Sequence, residues 1–189
     1  MRLYLLCIMF CLSFSAFAKT NNLHLIDSAP NGFAIYRASQ PDAKDMKRFC
    51  DLGITEMMVL SGSADDNEIR YQAICPTLKV VYNVRQSTKI PLKTSFLNDF
   101  DAWVASSQAA GKKIAFRCEC GCHRTGRLAA YYEMKYQGAS QATALRNMKK
   151  IGKWMLLFPR LKPQVRSLND FLKDEDCGEK RKYCVIKDS

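Results

Sequence analysis

The segment FRCECGCHRTGR, from Phe116 to Arg127, concentrates the side chains of this sequence that are best suited to chemistry. It holds three cysteines, a histidine and an arginine, namely Cys118, Cys120, Cys122, His123 and Arg124. Such a set is compatible with a metal site, a disulfide, or a thiolate nucleophile beside an anion-binding arginine. The spacing of these residues and the elements around them decide among the three.

The spacing argues against a metal site. Structural zinc sites usually place their ligands in pairs separated by about two to four residues, often on two segments of chain. Here the candidate ligands crowd into one short segment, and no second segment carries a similar pair. We therefore expect no bound metal.

The neighbouring elements favour an anion-binding loop. Lys113 to Arg117 reads as a buried strand, and Thr125 to Tyr136 reads as a helix with an apolar face. The free amides and the dipole at a helix N-terminus attract anions, and a tight loop adds further amides. Gly121 gives this loop the freedom to turn.

A thiol at Cys118 would lie at the base of this loop. The dipoles that bind an anion also stabilise a thiolate, which lowers the pKa of a cysteine at a helix N-terminus. Arg124 follows six residues later, and its planar guanidinium can hold two phosphate oxygens. A nucleophile, a set of amides and an arginine clamp are the parts needed for phosphoryl transfer through a phosphocysteine.

The pattern Cys118-x-x-Gly121-x-x-Arg124-Thr125-Gly126 resembles the phosphate-binding loop of the cysteine-dependent protein tyrosine and dual-specificity phosphatases. The segments IYRASQP, LGITEMMVL and YYEMKYQGASQATALRNMKK also resemble small bacterial, exported members of the dual-specificity-like group. The resemblance extends from about Phe33 to Leu172.

The resemblance implies a role for each loop residue. Cys118 would attack phosphorus, Arg124 would bind the substrate and the transition state, and Thr125 would hydrogen-bond the sulfur as it leaves the intermediate. It implies that no metal or organic cofactor is needed. The expected phosphate-binding residues are those of the loop, namely Glu119, Cys120, Gly121, Cys122, His123 and Arg124.

Two departures from the family concern charge and protons. Arg117 stands where the family usually has a histidine, and its charge is expected to favour the thiolate. The segment RQSTKIPLK has no carboxylate where the family usually has an aspartic acid that protonates the leaving group. Asp99 and Asp101 are expected to be surface acids, and His123 is either the proton donor or a structural loop residue.

Two further functions stay open. Without the acid, the domain is either a phosphatase or a module that binds phosphate esters and turns them over poorly. For the enzyme we expect phosphotyrosine or mixed phosphoprotein substrates, with inositol phosphates or phosphoinositides as the alternative. Relatives that act on those inositol compounds tend to carry lysines in the loop, whereas this loop has Glu119 and Cys122.

The charge distribution favours an anionic partner. The formal net charge is +11, and between Gly111 and Arg160 eleven Lys or Arg residues face only Glu119 and Glu133. This excess fits a phosphorylated protein or a small phosphate ester, or a charged face that keeps the protein soluble. Nucleic acid is disfavoured, because no basic run is interleaved with aromatics.

The remaining cysteines lie outside the loop. Cys177 and Cys184 bracket CGEKRKYC and are the best candidates for a disulfide. Cys50 and Cys75 either pair or are small buried side chains. Cys120 and Cys122 trap an oxidised Cys118, pair with each other, or fill space.

The first residues predict export. Residues 1–18 combine Arg2, a short apolar run and the small-x-small site AFA, which is typical of a cleaved signal peptide. No later segment is long and apolar enough for stable membrane insertion. We expect one domain over residues 19–189, with a core from about 33 to 172 and a C-terminal loop from 174 to 189.

The periodicity predicts alternating strands and helices. Expected strands are 22–26, 33–36, 54–60, 79–84 and 113–117. Expected helices lie within 41–53, 65–75, 94–110, 125–136, 140–151 and 163–173. This order predicts an α/β fold in which helices flank a central mixed sheet.

Overall fold

The computed structural model describes residues 22–153 and 155–188, so the predicted signal peptide lies outside the described residues. Their strands form one mixed sheet in the order β1-β2-β5-β3-β4. β1 pairs antiparallel with β2, and the other pairs are parallel. The strands are β1 (His24–Ser28), β2 (Ala34–Ala38), β3 (Ile54–Val59), β4 (Lys79–Asn83) and β5 (Lys113–Arg117).

Helices cover both faces of the sheet, which confirms the predicted fold class. They are α1 (Ala43–Asp51), α2 (Thr94–Ala109), α3 (Arg124–Tyr136), α4 (Gln141–Ile151) and α5 (Leu161–Leu172). α1 covers one face, and α2 to α5 cover the other. No helix of the described residues is long and apolar enough to cross a bilayer.

β5 occupies the centre of the sheet and points at the cysteine segment. Ile114 and Phe116 of β5 face the larger core, and Ala115 faces the smaller core under α1. This alternation is the two-residue period of a strand that is buried on both faces. Phe116 meets Phe100 of α2 edge-on, with ring centroids 5.8 Å apart. The loop after β5 is therefore anchored on the most buried strand.

The predicted helix over 65–75 is wrong. The structure has two short turns there, Asp65–Ile69 and Gln72–Ile74. Ile69 and Ile74 are exposed, so the segment has no apolar face to stabilise a long helix. Its buried side chains are instead those of Glu68, which pairs with Arg117, and Cys75, which forms a disulfide with Cys50.

Other boundaries moved by one to three residues. β1 and β2 begin at His24 and Ala34, later than predicted, and α1 begins at Ala43 because Asp42 caps it. The Asp42 side chain accepts from the amide of Asp45 at 2.9 Å, and the Asp45 side chain accepts in return from the amide of Asp42. This capping box fixes the start of the helix.

Two disulfides occur among the described residues, Cys50–Cys75 and Cys177–Cys184. The first joins the end of α1 to the turn before β4. The second closes a small loop after α5. Cys118, Cys120 and Cys122 are left with free thiols.

Candidate active site

The cysteine loop runs from the end of β5 to the start of α3. Cys118 is 1% exposed, and Cys122 is also buried, whereas Glu119 is exposed. α3 is buried along nearly its whole length, between the sheet and the pair α4 and α5. A central strand and a central helix thus hold both ends of the loop.

Three carbonyl groups of the loop accept hydrogen bonds from residues outside the loop. The Glu119 carbonyl accepts from the Gln40 amide at 3.0 Å, and the Cys120 carbonyl accepts from Asn22 Nδ2 at 3.1 Å. The Gly121 carbonyl accepts from Arg37 Nη2 at 2.7 Å. The N–H of each trans peptide unit points away from its carbonyl, so these bonds turn the amides of the following residues toward the inside of the loop.

Gly121 is required by both its conformation and its surroundings. Its φ is +66°, in the left-handed region. A Cβ at this position would lie 2.6 Å from the carbonyl oxygen of Ala38. The loop can pass this close to the end of β2 only because residue 121 has no side chain.

The Cys118 sulfur is surrounded by donors. The Cys120 thiol, the Thr125 hydroxyl and amide, and the Arg124 guanidinium hold the pKa of Cys118 well below its ordinary value, against the effect of burial. The same donation raises the pKa of Cys120. The Thr125 hydroxyl is buried without a hydrogen-bond partner among the described residues, and it is near enough to the Cys118 sulfur to contribute to its lowered pKa.

Cys120 has one proton and three possible acceptors, namely Nδ1 of His123 and the sulfurs of Cys118 and Cys122. Its sulfur lies 3.5 Å from Nδ1 of His123 and also contacts Cys118. A hydrogen bond to an anionic acceptor is stronger than one to a neutral acceptor, so the Cys120 thiol donates its hydrogen bond to the Cys118 thiolate. Cys122 instead donates to the Cys120 carbonyl at 3.1 Å. The thiolate charge is therefore placed on Cys118.

Arg124 is held beside the loop by a backbone carbonyl and a carboxylate. Its Nη1 donates to the Leu60 carbonyl at 3.3 Å, and its Nη2 lies 3.2 Å from Oε2 of Glu119. The side chain is largely buried, whereas that of Glu119 is 62% exposed. An incoming phosphate can displace the exposed carboxylate without moving the arginine from its anchor.

Residues 85–89 form a second wall of the site. Arg127 of α3 donates to the carbonyls of Ile90 at 2.8 Å and Ser87 at 3.0 Å, and it also bonds Gln164. Gln164 Nε2 donates to the Thr88 carbonyl at 3.3 Å. A fully buried arginine therefore holds this wall, and burial lowers its pKa to about 9.

Together these residues enclose a pocket of about 580 Å³. Its lining includes Cys118 and Arg124 of the loop region, Arg85 to Lys89, and Phe158. Glu119 supplies the pocket's one carboxylate among the described residues. The pocket thus fits an anion bound against a thiolate nucleophile.

Comparison with solved structures decides the fold. TpbA from P. aeruginosa matches with a TM-score of 0.62 and 18% identity over 81% of this chain and 91% of that one. Tk-PTP in its active form matches at 0.58 and 15% over 79% and 97%. This chain has the protein tyrosine phosphatase fold. No family model and no curated protein matches the sequence.

A third structure with this fold is PTPMT1 in complex with PI(5)P. It has a TM-score of 0.57 and 15% identity over 80% of this chain and 95% of that one. A second TpbA structure, in complex with phosphotyrosine, has a TM-score of 0.58 and 17% identity over 74% and 86%. The phosphatase fold therefore explains why a strand, a tight loop and a helix meet at this pocket.

Arg117 does not act on the thiol as the sequence suggested. It is fully buried, and its Nε donates to Oε1 of Glu68 at 2.6 Å. Its Nη1 donates to the hydroxyls of Ser61 at 2.6 Å and Ser63 at 3.0 Å. Since Glu68 neutralises it, Arg117 serves the packing of the phosphatase fold rather than thiolate activation.

His123 is engaged at both ring nitrogens. Its Nε2 lies 2.7 Å from the Lys153 carbonyl and therefore carries the proton, and its Nδ1 faces the Cys120 sulfur. The ring stacks on Phe158 with centroids 3.6 Å apart. Burial lowers the pKa of His123, so the ring is neutral near neutral pH. This arrangement suits a structural member of the pocket wall.

The two aspartates considered from the sequence lie away from the thiol. Asp101 accepts from the hydroxyls of Tyr131 and Tyr136 at 2.8 Å, and from Lys135. Asp99 is exposed on α2. Neither lines the pocket that contains Cys118.

Among the described residues no group of three or more His, Cys, Asp or Glu side chains is placed to hold a metal ion. Cys120 and Cys122 instead take part in hydrogen bonds within the loop. The Cys122 amide donates to the Cys120 sulfur at 3.1 Å.

Several functional residues escaped the sequence analysis. Arg37, Gln40 and Asn22 hold the loop, and Arg127 and Gln164 hold the wall. IYRASQP was noted only for its resemblance, although Arg37 and Gln40 lie in it. Nothing in the local pattern of Asn22 or Gln164 distinguishes them from surface amides.

Proposed function

We propose that this protein is a phosphate monoester hydrolase that acts through a phosphocysteine on Cys118. The observation that carries this proposal is the buried Cys118 sulfur with a strongly lowered pKa, placed in one pocket with Arg124. A thiolate in a water-poor pocket is a strong nucleophile, and the arginine compensates the charge of the phosphoryl group.

The first step transfers the phosphoryl group to sulfur. The Cys118 thiolate forms a bond to phosphorus, the bond from phosphorus to the ester oxygen breaks, and the leaving oxygen departs as an anion that takes a proton from solvent water. Arg124 and the inward amides of the loop stabilise the charge on the transferred oxygens. Binding of phosphate requires Arg124 to exchange Glu119 for the new anion.

The second step releases phosphate. Water attacks phosphorus, the bond from sulfur to phosphorus breaks, and the thiolate of Cys118 forms again. The Thr125 hydroxyl, which is near the sulfur, stabilises the negative charge as it returns. The donors that lower the pKa of Cys118 therefore also make it a good leaving group.

The deciding experiment is an assay with an aryl phosphate that has a good leaving group. Wild-type protein should release the phenol, and Cys118→Ser should not. Mass spectrometry of acid-quenched wild type should find one added phosphate on the peptide with Cys118. Binding of the ester without turnover that depends on Cys118 would identify a binding module instead.

We expect phosphotyrosine or mixed phosphoprotein substrates. The stacked rings of His123 and Phe158 offer a flat wall to a phenyl ring, and TpbA was solved with phosphotyrosine. The exposed carboxylate of Glu119 at the rim disfavours a densely charged ring.

Phosphoinositides and inositol phosphates are the alternative substrates. Arg85 and Lys89 in the wall would attract their additional phosphates, and PTPMT1 was solved with PI(5)P. Phosphate release from a panel of phosphotyrosine, phosphoserine and phosphothreonine peptides and of inositol phosphates separates the two classes. A strong preference for the inositol compounds would overturn the phosphoprotein proposal.

We also propose that the protein is exported after removal of residues 1–18. The two disulfides are consistent with an oxidising compartment. Cell fractionation and the intact mass of the mature chain test this proposal. A chain that keeps residues 1–18 in the cytoplasm would contradict it.

A further inference from the structure

Residues 155–158 form a short turn, here called the leucine turn, that presents two large apolar side chains to solvent. Leu156 is 95% exposed and Leu157 is 72% exposed. The other exposed large hydrophobics among the described residues lie between 38% and 56%. Adjacent leucines with this exposure are a poor arrangement for a surface that only water contacts.

The turn is held in this orientation from within. Met155 and Phe158, on either side of the leucines, pack against the larger core. The amide of Phe158 donates to the Met155 carbonyl at 3.1 Å, and the amide of Leu161 donates to the Phe158 carbonyl at 3.1 Å. The two inner side chains anchor the turn, so the leucines point outward as a consequence of the fold.

Basic residues lie on both sides of the leucine turn along the chain, and they are called here its basic rim. From Met134 to Asn169 the sequence has eight Lys or Arg residues and no Asp or Glu. Five exposed members flank the turn, namely Lys149, Lys150, Lys153, Arg160 and Lys162. None of the five takes part in an ion pair with another described residue. Their charge is therefore available to an external partner.

The leucine turn also borders the pocket. Phe158 lines the pocket and stacks on His123, which is bonded in turn to the Lys153 carbonyl. Consecutive Cα atoms are about 3.8 Å apart, so Leu157 directly adjoins the pocket rim. Whatever binds the leucines lies beside the mouth of the pocket.

We propose that the leucine turn and its basic rim dock the domain on an anionic lipid surface, with the mouth of the pocket at the interface. Apolar side chains enter the boundary between headgroups and acyl chains, and nearby Lys and Arg residues bind anionic headgroups. A protein partner would have to match both the leucines and the basic rim. A bilayer with anionic lipid supplies both features at once.

Docking in this way would restrict the reaction to phosphate esters carried at the membrane surface. This consequence rests on the proposed phosphatase activity, but docking itself does not. Cys118→Ser should bind lipid as well as wild type does. A failure of docking thus leaves the phosphatase proposal intact, and the absence of turnover leaves the docking proposal intact.

The test is flotation of the full chain with vesicles of phosphatidylcholine, with and without phosphatidylglycerol. We expect binding to the anionic vesicles to be at least tenfold stronger than to neutral ones and to weaken as salt is raised. Leu156→Ser/Leu157→Ser and, separately, Lys149→Glu/Lys162→Glu should each reduce binding to anionic vesicles by at least tenfold.

Matched controls use the same substitutions elsewhere on the surface. Ile69→Ser/Ile74→Ser changes two exposed apolar residues far along the chain, and Lys44→Glu/Lys79→Glu makes the same charge change on the α1 and β4 side. Both controls should bind as wild type does, and circular dichroism should show that all variants are folded. Equal binding by the leucine variant and wild type would overturn the proposal, since any binding would then arise from another segment such as residues 1–18. Loss of binding in the control variants would also overturn it.

Discussion

Arg117 Nε donates to Oε1 of Glu68 at 2.6 Å, and Arg117 Nη2 bonds the second carboxylate oxygen of Glu68. Both side chains are almost fully buried. The pair joins the end of β5, next to the nucleophile, to the short turn Asp65–Ile69 on the neighbouring edge of the site. Arg117 thus occupies the position where the resembled family usually has a histidine, and it has a different role.

Removing Glu68 should strongly destabilise the protein. Glu68→Ala leaves a buried, uncompensated guanidinium, and the free energy of unfolding should fall by about 3–5 kcal/mol. Replacing both partners, as Glu68→Leu with Arg117→Met, should restore much of the loss because no buried charge remains. Denaturant unfolding measures both variants. Lys47→Ala, which breaks an exposed ion pair, is the control and should change stability little. A loss equal to this control would show that the buried pair has no structural role.

The Cys120 thiol should set the acid side of the pH profile. The pKa of Cys118 is lowered in the folded protein, so the thiolate is present above that pKa and is lost as the pH falls through it. Cys120→Ala removes a donor, which should move the acid limb of kcat/KM upward by about one pH unit.

Cys120→Ser is the matched control, since it keeps a hydroxyl donor and should shift the limb less. The pH dependence of Cys118 alkylation by iodoacetamide gives an independent measurement of the same pKa. An acid limb at the same pH in Cys120→Ala and wild type would remove Cys120 from this role.

Thr125 should control the breakdown of the phosphocysteine. Thr125→Val keeps the shape of the side chain but removes the hydroxyl near the sulfur, so kcat should fall by about 10–100-fold. With a good leaving group the phosphocysteine should accumulate, which rapid-quench mass spectrometry detects as a burst. Thr125→Ser should retain most of kcat. A uniform loss of both steps without a burst would indicate a packing role instead.

The strand, the loop and the helix of the site could be predicted from local sequence patterns. The distant residues that hold them in place could not. β5, α3 and the loop between them follow from a buried apolar run, a helical period and the spacing of Cys118 from Arg124. Glu68 and Arg117 are 49 positions apart, and Arg127 meets Gln164 across 37. No periodicity links such pairs, because their proximity arises only when the sheet and the helices pack together. The same reason explains the error over 65–75, where tertiary contacts of Glu68 overrode local helix propensity.

The close passage of the loop past β2 should make Gly121 irreplaceable. Gly121→Ala places a Cβ 2.6 Å from the Ala38 carbonyl oxygen at a positive φ, so the loop has to shift. Activity should fall by more than about 100-fold, because small displacements of a catalytic loop are costly. Gly138→Ala is a matched control, since its φ is +64° and a Cβ there would have nothing within 4 Å. That control should keep activity. Comparable activity in both variants would mean that the clash is relieved without harm to the site.

His123 should act through its position rather than as the proton donor. Its Nε2–H group donates a hydrogen bond to the Lys153 carbonyl. Burial lowers the pKa of the ring, so the ring is neutral near neutral pH. His123→Gln keeps an N–H donor for that carbonyl. We expect it to change kcat/KM by a similar factor for aryl phosphates with acidic and with weakly acidic phenols. An acid catalyst would behave differently, since its loss slows poor leaving groups by about 10²–10⁴-fold and good ones much less. Selective slowing of the poor leaving groups in His123→Gln would therefore assign the proton to His123, whereas a uniform effect leaves Glu119 as the pocket carboxylate to test next by the same measurement.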